Sequence, residues 1–198
     1  METFIEHSEH FELETHVKVA RARAGVLMLV VSDALSGLAI LAAGGYLSAL
    51  NTENQFKVAG DFAPPLVPGL LVMIALVLSG LCYFAWERRA RRRGDTGQTL
   101  FFLVALVLMF AAGVAETWIG AALRYGIPIH AYESLLLLIT WFTAIHLLLA
   151  AIVGLLLGGR ILRGRVVGHE FIPEVVGYWW YYTVIASVLL WLFGAFLI

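Results

Sequence analysis

Charge is what this chain has least of. Only 14% of its 198 residues are Asp, Glu, Lys or Arg, and 61% are hydrophobic, against about 25% charged and 45–50% apolar in a soluble domain. A water-soluble globule is excluded; the composition is that of an integral membrane protein. Cys82 is the single cysteine, so no disulfide can form within the chain and no cluster of Cys and His is available for a metal. It reads as a small filler in the core or against lipid. The five prolines leave the centres of the apolar runs free, which argues against helices broken at mid-membrane in the manner of many transporters. Phosphate-binding loops and nucleophile motifs are also missing. The polar, acidic start has neither the basic segment nor the apolar stretch of a cleaved signal, so insertion by the first span with the N-terminus retained is expected.

What fills the chain instead is five apolar runs, over about 24–50, 65–86, 99–123, 131–159 and 174–198. A membrane-crossing helix needs about 20 such residues at 1.5 Å each. The expected fold is therefore an all-α integral membrane protein, a single domain of five transmembrane helices in a bundle, preceded by a polar tail over 1–23. Eleven of the thirteen Lys and Arg residues fall in that tail or in the connectors after the second and fourth spans, Lys57 and Arg124 being the exceptions. By the positive-inside rule this places the N-terminus inside and the C-terminus outside. Tyr83, Phe84 and Trp86, followed by Arg88, Arg89, Arg91, Arg92 and Arg93, read as an interfacial aromatic belt and an inner loop suited to anionic headgroups. No nucleic-acid partner is expected.

Three ionisable residues lie well inside the spans: Asp33 about ten residues into the first, Glu116 in the third and His146 near the middle of the fourth. Each is set among small residues: Ser36 and Gly37 beside Asp33; Ala112, Gly113 and Gly120 beside Glu116; Ala150, Gly154 and Gly158 on the face of His146, with Thr143 one turn behind. Small faces admit another helix, so all three are expected to face protein and not lipid. By depth Asp33 and His146 are within reach of each other, and Tyr181 and Tyr182 of the fifth span are placed to join them. Such groups either hold helices together by hydrogen bonds or, where desolvation disfavours their charged forms, exchange protons.

A bis-His haem needs two deep histidines, and only His146 qualifies, since His130 lies at an outer end and His169 in an inner loop. Catalytic, cofactor-binding and metal-ligating residues are accordingly not expected in this chain. The tail's Glu2, Glu6, Glu9, Glu12 and Glu14 with His7, His10 and His16 offer metal-ligand chemistry, but a solvated tail lying on a neighbouring protein is the plainer reading.

Taken in order, four segments resemble subunit III of the haem-copper oxidases. LVVSDALSG, with Ser32 and Asp33, is similar to the family's FLxSEVMFF. GVAETW places Glu116 at the acidic position of QxxEY. WFTAIHL keeps Phe142 and His146 of GFHGLHV, with Thr143 at the first His. HEFIPEVVGYWWYYTV keeps His169, Glu174 and Trp180 of HHxGxExxxWYWHFVD, with Tyr181 and Val184 in place of its His and Asp. The resemblance covers about residues 21–198, and bacterial members of the family that lack its first two helices have the same five-span layout.

That resemblance implies a multi-pass protein of the bacterial cell membrane that packs beside the haem-bearing catalytic subunit I and other oxidase subunits. It implies no haem or copper of its own, those being in the partner subunits, and bound phospholipid between its helices. Asp33 and His146 are the positions carried over for a proton or lipid role, and Glu116 and Glu174 as structural polar positions. Two alternatives stay open: the equivalent subunit of a nitric oxide reductase-type complex, and a small independent transporter or ion-conducting protein using Asp33, Glu116 and His146.

Overall fold

The computed structural model describes the backbone over 2–51, 56, 65–93, 99–123, 130–166 and 171–197, and the side chains over 16–51, 56, 65–91, 99–122, 130–166 and 171–196. The described residues form five long helices: α1 (Glu2–Ala49), α2 (Leu66–Arg93), α3 (Thr99–Leu123), α4 (Ala131–Leu162) and α5 (Phe171–Leu192), the last continuing into a π-helical turn over Phe193–Leu197. All five are long and apolar enough to cross a membrane. The described residues are all-helical in architecture, and the five spans make the protein multi-pass.

The helices overrun the apolar runs at several ends. α1 begins at Glu2, ahead of the apolar run over about 24–50, because no Gly or Pro interrupts the polar tail and its Glu, Lys, Arg and Ala residues favour a helix. The tail's side chains through Thr15 lie outside the described residues, as does His169; the metal-ligand reading of the tail falls there. α2 continues through its arginines to Arg93. α5 starts at Phe171 with Pro173 in its first turn, where a missing backbone N–H costs nothing. α4 ends at Gly164, whose φ of 65° is left-handed. The Gly164 amide then donates to the Ile161 carbonyl at 3.0 Å and the Arg165 amide to Arg160 at 2.9 Å, the paired bonds of a Schellman stop.

α2, α3, α4 and α5 pack in a ring, each on the next, and α1 lies outside the ring against α5 and, over a shorter stretch, α4. Tyr83, Trp86, Phe102, Met109, Leu147 and Trp180 fill the ring's interior. Tyr83 stacks on Trp180 at 4.7 Å between ring centres. Ser79 ties three helices at once, donating to the Ala105 carbonyl at 2.7 Å and accepting from Trp180 Nε1 at 3.2 Å. A second apolar cluster of Phe56, Tyr132, Leu135, Leu136, Ile139 and Leu190, with Ile40 and Leu41 against it, joins α1 to the ring. α1 and α5 run parallel: Arg23 meets Glu174, Asp33 meets Tyr182 and Gly44 meets Phe193. At Gly44 an added Cβ would lie 2.7 Å from both Leu135 Cδ2 and Phe193 Cε1, so glycine sets how closely α1 approaches.

Candidate functional site

Asp33, His146 and Tyr182 come from three helices and meet near the midpoints of the segments able to cross a membrane. Val26, Val30, Asp33, Gly37 and Leu41 lie along the partly covered side of α1, at the i, i+3, i+4 spacing of one helical face. This aims Asp33 at the seam between α4 and α5. His146 Nε2 lies 2.9 Å from Asp33 Oδ1, and the Tyr182 hydroxyl donates to Asp33 Oδ2 at 2.6 Å. Both carboxylate oxygens are thereby engaged, and the side chains of His146 and Asp33 are 15% and 17% exposed. Aromatic rings flank the imidazole, Phe142 with its centre 4.2 Å away and Trp179 at 5.8 Å.

The other imidazole nitrogen decides what this pair can hold. Nδ1 sits 2.6 Å from the Phe142 carbonyl oxygen, and a carbonyl only accepts, so Nδ1 carries a hydrogen and donates. A neutral imidazole then presents a bare Nε2 to Asp33, which requires a protonated carboxyl, whereas an ionised Asp33 requires Nε2–H and hence imidazolium. Either way one proton lies between Oδ1 and Nε2, and the pair is neutral overall. This removes much of the cost of placing two ionisable groups at mid-membrane.

Beside the pair is a cavity of about 10 Å³ lined by Asp33, His146, Tyr182, Thr143, Thr183 and Ser187 among others, the size that takes a single water. Thr183 is buried and its hydroxyl has no partner among the described residues. It is the group such a water would satisfy.

Glu116 does not join this site. It is buried from α3 in the ring, and its Oε2 has no partner among the described residues. The small residues around it serve packing against α4: a Cβ on Gly113 would be 3.1 Å from Leu148 Cδ2, and one on Gly120 3.2 Å from Thr140 Cγ2. Ser36 also departs from the expectation of a shared face with Asp33. It is exposed, and its hydroxyl turns back to the Ser32 carbonyl at 3.4 Å.

Glu174 is the centre of a second cluster toward the arginine-rich end. It accepts from Arg23 of α1 at 2.7 Å, pairs with Arg91 of α2, and accepts from Tyr178 at 2.5 Å. Tyr181, expected near Asp33, points here instead and donates to Glu87 Oε2 at 2.5 Å. Tyrosines adjacent in a helix diverge by about 100°, which sends Tyr182 to α1 and Tyr181 to α2. Glu87, buried at the end of α2 and 3.7 Å from Arg91, was hidden in sequence by the arginine run that follows it. Its i, i+4 spacing to Arg91 was the available signal. Among the described residues no three His, Cys, Asp or Glu side chains gather to hold a metal.

The chain matches no protein-family model and no curated protein.

Proposed function

We propose that this protein is an accessory subunit, similar to subunit III, of a proton-pumping terminal respiratory oxidase of the bacterial cell membrane, oriented N-in and C-out. It carries no redox chemistry itself; it stabilises the catalytic subunit and supports proton uptake or lipid binding beside it. The observation that carries the reading is the meeting of Asp33, His146 and Tyr182. Asp33 and His146 stand at the positions that the resemblance to the oxidase subunit marks for a proton or lipid role, and Tyr182 lies in a third segment that carries the resemblance. The orientation rests on the arginines: Arg23 and Arg91 meet on Glu174, and the basic ends of α2 and α4 belong on the inner face.

In this role the chain needs two properties. It must be held against a large partner, for which α1 offers an apolar outer face including Leu27, Met28, Val31, Leu35 and Leu38. It must also keep a proton-bearing group at mid-membrane without net charge, as the Asp33 and His146 pair does.

The test is a membrane preparation from cells deleted for the chain. Oxygen consumption by the oxidase is expected to begin near the normal rate, then to decline faster during turnover, and to be restored by re-expression. An unchanged turnover lifetime together with unchanged proton uptake contradicts the assignment.

A further inference from the structure

We infer that the cavity beside Asp33 and His146 is a binding site for one ordered water, caged by the hydroxyls of Thr143, Thr183 and Ser187, which solvates the pair at mid-membrane. A serine or threonine inside a helix commonly satisfies its hydroxyl on the carbonyl one turn back. Thr117, Ser134 and Thr140 do so, donating to Gly113, His130 and Leu136 at 2.8, 3.2 and 2.9 Å. Thr183 does not: its buried hydroxyl has no partner among the described residues, and Thr143 and Ser187 form no hydrogen bond through theirs. These three side chains line the same cavity as Asp33 and His146.

The helices bring the cage together from two sides. Thr183 and Ser187 are four residues apart on α5 and so stand one above the other on a single face, while Thr143 precedes His146 by one turn on α4. All three residues are 3% exposed or less, and a hydroxyl buried that deeply requires a partner. The cavity measures about 10 Å³, the room of one water, and its hydroxyls fall within the two to four partners that a buried water takes. Phe142, Ala186 and Leu190 complete the wall with apolar groups, which leaves no space for a larger polar ligand.

Charge selects water over an ion. Both carboxylate oxygens of Asp33 are engaged, Oδ1 by His146 and Oδ2 by Tyr182, and the pair with its one proton is already neutral. An added cation or anion leaves an uncompensated charge at mid-membrane, which is costly; a water leaves the balance as it is. Water also donates and accepts, and each hydroxyl of the cage rotates to do either. The cage therefore turns its hydrogen bonds to suit carboxyl with imidazole or carboxylate with imidazolium, and so accommodates the shared proton on Asp33 or on His146. This goes beyond the proposed function, which asks only that the pair be neutral, and its test needs only the purified chain.

The experiment is magnetisation transfer from water protons to side chains, read by solid-state NMR on the serine- and histidine-labelled chain in lipid bilayers. Early transfer to Ser187 and His146 is expected in the parent chain. Thr143→Val combined with Thr183→Val keeps the shape of both side chains and removes two of the three hydroxyls. The double variant is expected to lose that transfer and to shift the nitrogen-15 resonance of His146 Nε2, which reports where the shared proton sits. Thr140→Val, whose hydroxyl serves the Leu136 carbonyl, is expected to change neither. No early transfer in the parent, or undiminished transfer in the double variant, overturns the site. So does stabilisation by sodium chloride over choline chloride that disappears in the double variant, because it marks a cation where the water is assigned. Should the double variant fail to fold, Thr183→Val alone against Thr140→Val decides the question by the same two readouts. These outcomes do not depend on whether the chain binds an oxidase, and absence of an oxidase partner leaves them readable.

Discussion

Arg23 of α1 and Glu174 of α5 hold two parallel helices together at 2.7 Å, and the same helices meet again at Asp33 and Tyr182, 2.6 Å apart. α1 has little else to hold it, since only 6% of its most apolar window is buried. The two contacts are about three turns apart along α1, too distant to share partners. In a double-mutant cycle, Asp33→Ala and Tyr182→Phe should therefore show a coupling of about 0.5–2 kcal/mol. Arg23→Ala should add to either within about 0.5 kcal/mol. Reversible unfolding in mixed micelles measures both; zero coupling in the near pair contradicts the site geometry.

Glu174 is shared by two arginines and a tyrosine, so its removal should cost more than the loss of any one partner. Arg23→Ala is expected to lower stability by about 1 kcal/mol or less, because that side chain is half exposed and screened. Glu174→Ala should cost more, since it takes the acceptor from Arg23 and the Tyr178 hydroxyl and leaves Arg91 only Glu87. Thermal melts at low and high salt test this: the Arg23→Ala loss should shrink with salt, and equal losses for the two variants would refute a shared hub.

Ser79 predicts a different kind of loss. Ser79→Ala removes the acceptor for the buried Trp180 N–H as well as the donor to Ala105, and an unpaired buried donor costs about 1–3 kcal/mol. Tryptophan fluorescence and thermal unfolding should report the change together. Stability within error of the parent would mean that the indole finds another acceptor.

Gly154 and Gly25 make a matched comparison. A Cβ at Gly154 would lie 2.8 Å from both Leu106 Cδ1 and Trp180 Cζ3, whereas one at Gly25 meets nothing within 4 Å. Gly154→Ala should destabilise by about 1–3 kcal/mol through overpacking, and Gly25→Ala should be neutral or slightly stabilising. The reverse order in unfolding measurements would contradict the packing of α3, α4 and α5.

The number and order of helices were legible because each apolar run is long and uninterrupted, and the nearness of Asp33 to His146 was legible from depth alone. Depth says nothing of azimuth, which explains why depth does not separate Tyr181 from Tyr182 and why Glu116, at a plausible level, is buried on α3 without joining the pair. α1 extends well beyond its apolar run, because hydropathy marks where an apolar run begins and a helix needs only that nothing breaks it. Glu87 is masked in sequence for a related reason: beside five arginines it reads as part of a solvated loop, while α2 carries it inward to Tyr181. Small-residue faces predicted burial correctly for Gly154, packed on Leu106 and Trp180, but not for Ser36, which is exposed. A residue's size permits close approach without supplying the helix that approaches.

The accessory-subunit assignment is tested most directly by purifying the tagged chain in mild detergent, recording its visible spectrum and identifying what accompanies it. The account predicts haem absorbance that co-elutes with a large membrane subunit and oxygen consumption in the same fractions. A colourless, monodisperse protein with no partner would contradict it.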